Sequence, residues 1–243
     1  MKLHLNKNTF VNNLLGPVSK LSDNILLTFE PSNWKSGWSA KTIVNSADNS
    51  VILIGDVPCM VEDPFKCVIP DCKTFLRLFS GIDQDQIVLD IDSNVIKYKE
   101  GSFSFKYHLL DESYIVSKKS ISEEKLKSLT YDTTFVMTKQ KLSEIIKFNS
   151  IVPDAEKLYF VTENSKLLAK LGDELKTNTN EIITQISDSY EGKLLADKFP
   201  VNIQNILLFS FSEDEIKVSI NQTLKVFKFE SINLSYIVSG LVK

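Results

Sequence analysis

Apolar and polar positions alternate with a period of two through most of this chain, and a helical period interrupts that alternation only four times. Residues 8–21 carry Phe10, Val11, Leu14, Leu15 and Val18 on one side, which predicts a helix. Pro17 is expected to end or bend it near its last turn. Three strand-like runs follow, "NILLTFEP", "WSAKTIVN" and "SVILIGDV". "CVIP" then leads into a short helix, "DCKTFLRLFSG", with Asp71 as its cap and Cys72, Phe75, Leu76 and Phe79 turned inward. Three more strands follow: "QIVLDIDS", "VIKYKEG" and "SFSFKYHLL". The last puts Phe103, Phe105, Tyr107 and Leu109 on one face.

Residues 111–131 break the rhythm with charged and serine-rich sequence and read as a connector. The same order then restarts. "TFVMT" is a strand, and 138–149 is a helix whose stripe is Leu142, Ile145 and Ile146, with Gln140, Ser143, Glu144 and Lys147 opposite. "KLYFVTEN", "KLLAKLG" and "EIITQISDSY" are strands. "FPVN" leads to a helical turn, "IQNILLFS", and "DEIKVSIN", "TLKVFKFE" and "LSYIVSGLV" close the chain. A unit of strand, helix and three strands therefore occurs four times, two on each side of the connector. One unit leaves a sheet face and a helix stripe bare, and two packed together bury both. The fold class expected is α+β, with two similar domains: 1–112, a connector over 113–131, and 132–243.

Composition narrows the chemistry. The chain has 243 residues, is 43% hydrophobic and carries a net charge of −3, which on average argues against nucleic acid. Cys59, Cys67 and Cys72 are odd in number and irregularly spaced, which predicts neither a disulfide framework nor a zinc site but reduced thiols in a cytosol-like compartment. Cys72 falls on an apolar helix stripe and reads as core. No apolar run approaches the ~18 residues of a membrane span, and "MKLHLNKNTF" has no signal-peptide core, so a soluble intracellular protein without membrane partners is expected. "DIDSN" lacks the glycine and distal glutamate of a calcium loop. His4 and His108 lie far apart, and no spaced-glycine phosphate loop is present. The expectation is no catalytic residue, no metal and no cofactor.

The charge is unevenly spread. Opposite its apolar stripe the first helix carries Thr9, Asn12, Asn13, Ser19 and Lys20, with Lys7 at its start. The second offers Lys73, Arg77 and Ser80, and the third Lys147 flanked by Lys139 and Lys141. Against these stand Asp71 and Glu144, a balance of +5 that leaves −8 for the rest of the chain. The fourth helix offers Gln204 and Asn205 and no lysine. Basic helices in an acidic chain suit a surface that holds phosphates loosely and without reading sequence.

The paired repeats, the opening "MKLHLNKNTFVNNLLG", the closing "NLSYIVSGLVK" and "FPVNIQNILL" together resemble the DNA sliding clamps, most closely those of T4-like bacteriophages. That resemblance implies two DNA-clamp domains per chain, antiparallel sheets outside and helices inside, and a homotrimer forming a six-domain ring. Twelve helices about 10 Å apart give a circle about 38 Å across between axes. Removing one helix width of ~10 Å leaves a hole near 28 Å, wide enough for a duplex. The implied DNA-facing residues are Lys7, Asn12, Lys20, Lys73, Arg77, Lys139, Lys141 and Lys147. The implied subunit contact joins the strand at 102–110 to that at 181–190, through Phe103, Phe105, Tyr107, Ile182, Ile183 and Ile186. The implied partner-peptide pocket is lined by Ile43, Val44, Tyr114, Ile115, Val116, Tyr236, Ile237 and Val238. Expected partners are double-stranded DNA, DNA polymerase and an ATP-dependent clamp loader, with transcription factors as further candidates, in the cytoplasm of an infected host. The competing reading is a structural or assembly protein of a virus particle, built from repeated β-rich domains.

Overall fold

The structure, a computed structural model, describes residues 1–32, 37–111, 113, 123–164, 166–173, 180–193, 195 and 199–241. The chain divides into two compact units, Met1–Ser120 and Ile121–Lys243. Residues 114–122, most of the first half of the predicted connector, lie outside the described residues.

The first unit opens with β1 (Lys2–Asn6), α1 (Lys7–Phe10), a π-turn (Val11–Leu15) and α2 (Gly16–Ser19). Strands β2 (Ile25–Pro31), β3 (Trp38–Asn45) and β4 (Val51–Val61) follow. The order then repeats as β5 (Phe65–Ile69), α3 (Cys72–Phe79), β6 (Gln86–Asp92), β7 (Val95–Glu100) and β8 (Phe103–His108). Within the unit the strands pair antiparallel as β5–β2–β3–β4–β1–β6–β7–β8. The long β4 joins the two repeats: Ile52–Pro58 pair with β3 and Cys59–Val61 with β1.

Pro17 explains why the first helix is not regular. It has no N–H to donate, and in an α-turn its ring would crowd the carbonyl of Asn13. The turn ahead of it widens instead, and Gly16 N–H reaches the Val11 carbonyl. The extra residue rotates the helical wheel. Asn13, expected on the polar side, is consequently 93% buried, with a relative exposure of 7%. Packing onto the sheet is close: a Cβ at Gly55 of β4 would lie 2.3 Å from Leu14 Cδ1, so only glycine leaves that space. The helices of this unit meet through Phe10 and Phe79, 5.6 Å apart, and Phe75 continues the aromatic row to Tyr107 of β8 at 4.7 Å. Asp71 caps α3, accepting from Thr74 N at 2.8 Å and from its hydroxyl at 2.6 Å.

The second unit contains α4 (Glu123–Lys127), then β9 (Thr133–Thr138), α5 (Lys139–Ile151), β10 (Lys157–Glu163), β11 (Lys166–Leu171) and β12 (Ile182–Ser187). After the two-residue β13 (Glu191–Gly192) come β14 (Val201–Asn202), α6 (Ile203–Leu207), β15 (Glu215–Asn221), β16 (Val226–Glu230) and β17 (Leu234–Ser239). One sheet of the unit runs β13–β9–β15–β16–β17 and the other β12–β11–β10–β14. Thr138 caps α5 by accepting from Lys141 N at 3.2 Å, and Asn202 caps α6 from Gln204 N at 2.9 Å. Phe160 is central to the core, 5.7 Å from both Phe135 and Phe227.

Among the described residues the predicted segments coincide with these elements, with three differences besides the π-turn, the first being α4 inside the segment expected as connector. β4 runs to Val61, beyond the expected end, because its last residues gain a second partner in β1. β13 was not expected: two residues carry no periodicity. Its Gly192 has φ +96, and a Cβ there would stand 2.0 Å from the Asp132 carbonyl oxygen.

Candidate functional site

The polar faces of α3 and α5 follow from their wheels. On α3, Cys72, Phe75 and Phe79 are buried while Lys73, Thr74, Arg77 and Ser80 are exposed. On α5, Leu142 and Ile145 are buried while Gln140, Ser143 and Lys147 are exposed. The basic residues on the helical segments do not all stand alike. Lys7 turns back to donate to the Ile82 carbonyl at 2.6 Å. Lys73 pairs with Asp23 at 2.9 Å, an exposed hydrogen bond that raises its pKa. Lys141 pairs with Glu144 at 2.7 Å, and that bond holds the Glu144 carboxyl below its ordinary range. Lys139 is half-buried and reaches the Ser212 carbonyl at 3.4 Å. Lys20, Arg77 and Lys147 are exposed, and their side chains form no hydrogen bond or ion pair with another described residue. Asn12, in the first helical segment, is exposed as well. These four offer the least hindered donors to a phosphate.

The two strands named for the subunit contact are both edge strands within their own units. β8 pairs with β7 alone among the described strands, and β12 with β11 alone. Of the six residues named for the subunit contact, Phe103, Phe105 and Tyr107 turn toward their own core. Phe105 lies 6.3 Å from Phe79 and 5.7 Å from Tyr98, and Tyr107 is buried with its hydroxyl donating to the Asp71 carbonyl at 2.8 Å. Burial also raises the Tyr107 pKa. On β12, Ile182 is half-buried and Ile186 is buried, at a register shift where Leu167 faces Ser187 and Leu168 faces Gln185. Ile183 is different: it is 54% exposed.

All three thiols are buried, and burial pushes each up to about 12, so none is poised as a nucleophile. Cys72 instead donates weakly to the Leu15 carbonyl across the helix pair. Among the described residues no group of three His, Cys, Asp or Glu side chains converges to hold a metal ion. No helix among them is long and apolar enough to cross a membrane.

Comparison with solved structures matches the chain along its whole length. PCNA of A. fulgidus, in a structure with the C-terminal region of FEN-1 bound, superposes with a TM-score of 0.76 at 15% identity over 100% of this chain and 98% of that one. The fold is that of the sliding clamps. PCNA of Thermococcus kodakaraensis gives 0.75 at 16% identity, with 99% of each chain covered. A putative DNA polymerase III beta subunit of Eubacterium rectale gives 0.74 at 13% identity, and the chain spans 65% of its length. No protein-family model and no curated protein matches the sequence.

The residues named for the peptide pocket are only partly described. Tyr114, Ile115 and Val116 lie outside the described residues. Tyr236, Ile237 and Val238 are buried at 0%, 5% and 0% exposure, so they present no open lining. The cause is the strand itself. β17 pairs with β16 along its length, and Tyr236 sits between Phe209 at 4.3 Å and Phe211 at 5.2 Å, with its hydroxyl accepting from Ser210 N at 3.1 Å. Val44 is buried as well, and Ile43 is half-buried. Periodicity also gave no sign of two acids that meet the polar faces of the helical segments, of which Asp23 alone neutralises a basic side chain. Asp23 holds Lys73 from 50 residues away and Asp85 holds Asn8 from 77, at separations that leave no periodic signal.

Proposed function

We propose that this chain is a DNA sliding clamp of the phage type, a homotrimeric ring that encircles duplex DNA and tethers the replicative polymerase without catalysing a reaction itself. The observation that carries this is the superposition of the entire chain on PCNA at a TM-score of 0.76. The basic polar faces of α3 and α5 support it, because a clamp must attract phosphates without gripping bases. In this reading the domains are 1–112 and 132–243 joined by 113–131, and β8 of one subunit adds to β12 of the next. Such a head-to-tail contact makes a closed ring when its rotation divides the circle, and it covers two edges that would otherwise invite aggregation. Lys20, Arg77 and Lys147 would face the duplex. With no phosphate loop in the sequence, ring opening is the work of a separate ATP-dependent loader.

Sedimentation and topology test this together. Three chains of 27.5 kDa give a particle of about 82 kDa. Loaded on a nicked plasmid, it should stay through gel filtration and leave once the circle is cut. A monomer at micromolar concentration, or equal retention on circle and linear DNA, contradicts the ring. Charge reversal at Arg77→Glu with Lys147→Glu should leave the fold and the trimer intact, since both side chains are in solvent. It should shorten retention and processive synthesis by about tenfold or more, with the defect largest at low salt. Unchanged processivity would make the basic face an ordinary solvated surface.

A further inference from the structure

A hollow of about 510 Å³ opens on the second unit, at the foot of β15 and beside the turn that joins β16 to β17. Its apolar part is two aliphatic side chains left in solvent, Val136 on β9 at 50% exposure and Ile232 in the turn at 65%. A row across the sheet ties them to charge: Val136 stands opposite Lys217, which stands opposite Glu230. The rim is acidic. Glu213, Asp214 and Glu215 come from the stretch leading into β15, and Glu230 closes the far side, so four carboxylates face one lysine in the lining. Part of this charge is already spent: Lys228 holds Glu230 at 2.5 Å, and Asn233 donates to Glu213 at 3.1 Å. Asp214, Glu215 and Lys217 are exposed.

We infer that this hollow docks a segment of a partner protein in which an aliphatic side chain is flanked by lysine or arginine. The aliphatic group covers Val136 and Ile232, and the flanking cations meet the carboxylate rim. Charge complementarity chooses this occupant: the rim repels phosphate, which excludes nucleic acid, and repels acidic peptides. The volume suits one or two side chains rather than a whole helix. None of the residues involved belongs to the basic helix faces, the open strand edges or the pocket read from the sequence. The inference goes beyond the clamp reading and stands whether or not the chain closes into a ring.

Fluorescence polarisation on the full chain tests it, with the labelled peptide GKKILKRG as probe and GKKSSKRG and GEEILEEG as controls. The basic aliphatic peptide should bind saturably in the micromolar range at about 50 mM salt and several-fold more weakly at about 300 mM. The serine control should bind at least about tenfold more weakly, and the acidic one not measurably. Ile232→Asp should weaken the probe by about tenfold or more; Ile232 is exposed in a turn, so the change leaves the fold intact. Val136→Ser is the second variant, with the same direction expected. Equal binding of the serine control, unchanged affinity in both variants, or no saturable binding of the probe overturns the inference.

Discussion

Ile183→Asp is expected to yield a folded chain that sediments as a monomer of 27.5 kDa, where the unaltered protein is expected to form a particle of about 82 kDa. Ile183 is the one large apolar side chain on β12 that is mostly in solvent, at 54% exposure. Its strand has a partner on only one side, β11. Within the isolated chain the substitution therefore removes little packing, and its cost should fall in the small range of surface changes. Across a subunit contact the balance reverses. A carboxylate buried in such a contact costs several kcal/mol wherever no cation meets it, and a ring repeats that cost at each of its contacts. Phe105→Asp is the less informative variant. Phe105 packs on Phe79 and Tyr98 inside its own unit, so its replacement disrupts the fold together with any assembly. Circular dichroism unchanged with the trimer lost is the expected pair of results for Ile183→Asp. A variant that remains trimeric moves the subunit contact away from β12.

Tyr236→Ser is expected to destabilise the second unit by about 3–5 kcal/mol, the range for deleting a fully buried aromatic side chain. Tyr236 has 0% exposure, rings of Phe209 and Phe211 within 4.3 and 5.2 Å, and a hydroxyl that satisfies the Ser210 N–H. Burial raises the pKa of that hydroxyl well beyond the ordinary tyrosine value, so it stays protonated throughout the working range. Tyr236→Phe separates the two contributions. It keeps the ring contacts and orphans only the Ser210 N–H, at about 1–3 kcal/mol. Domains of ordinary stability hold about 5–15 kcal/mol in total, so the serine variant should show a clearly lower urea midpoint for its second unit. A loss under about 1 kcal/mol would return Tyr236 to the surface and restore it as a pocket residue.

The element order was legible because each element writes its own period into the chain. "WSAKTIVN" alternates and became β3, while "DCKTFLRLFSG" carries both its cap and its stripe and became α3. The basic faces were legible for the same reason, since a residue's place on a wheel needs no knowledge of distant sequence. The burial of Tyr236, Ile237 and Val238 was not legible in the same way. A short apolar run reads alike as a closing strand or as an exposed lining, and only the pairing of β17 with β16 separates the two. The register shift opposite Ile186 was equally invisible, because a bulge is a property of two strands together.

By itself, then, the chain's pattern determined the four repeats, the faces that enter the core and the caps that start the helices, because all of these depend on neighbours within a few residues. Tertiary structure decided the rest. It decided that Asn13 turns inward, because the carbonyl behind Pro17 had to be cleared. It paired Lys73 with Asp23 and Lys7 with the Ile82 carbonyl, leaving Lys20, Arg77 and Lys147 without such partners. It also left Ile183 as the solvent-facing isoleucine of β12. Such outcomes turn on groups 50 to 75 residues apart that meet only when the chain has folded, and the loop closure that brings them together leaves no trace in local periodicity.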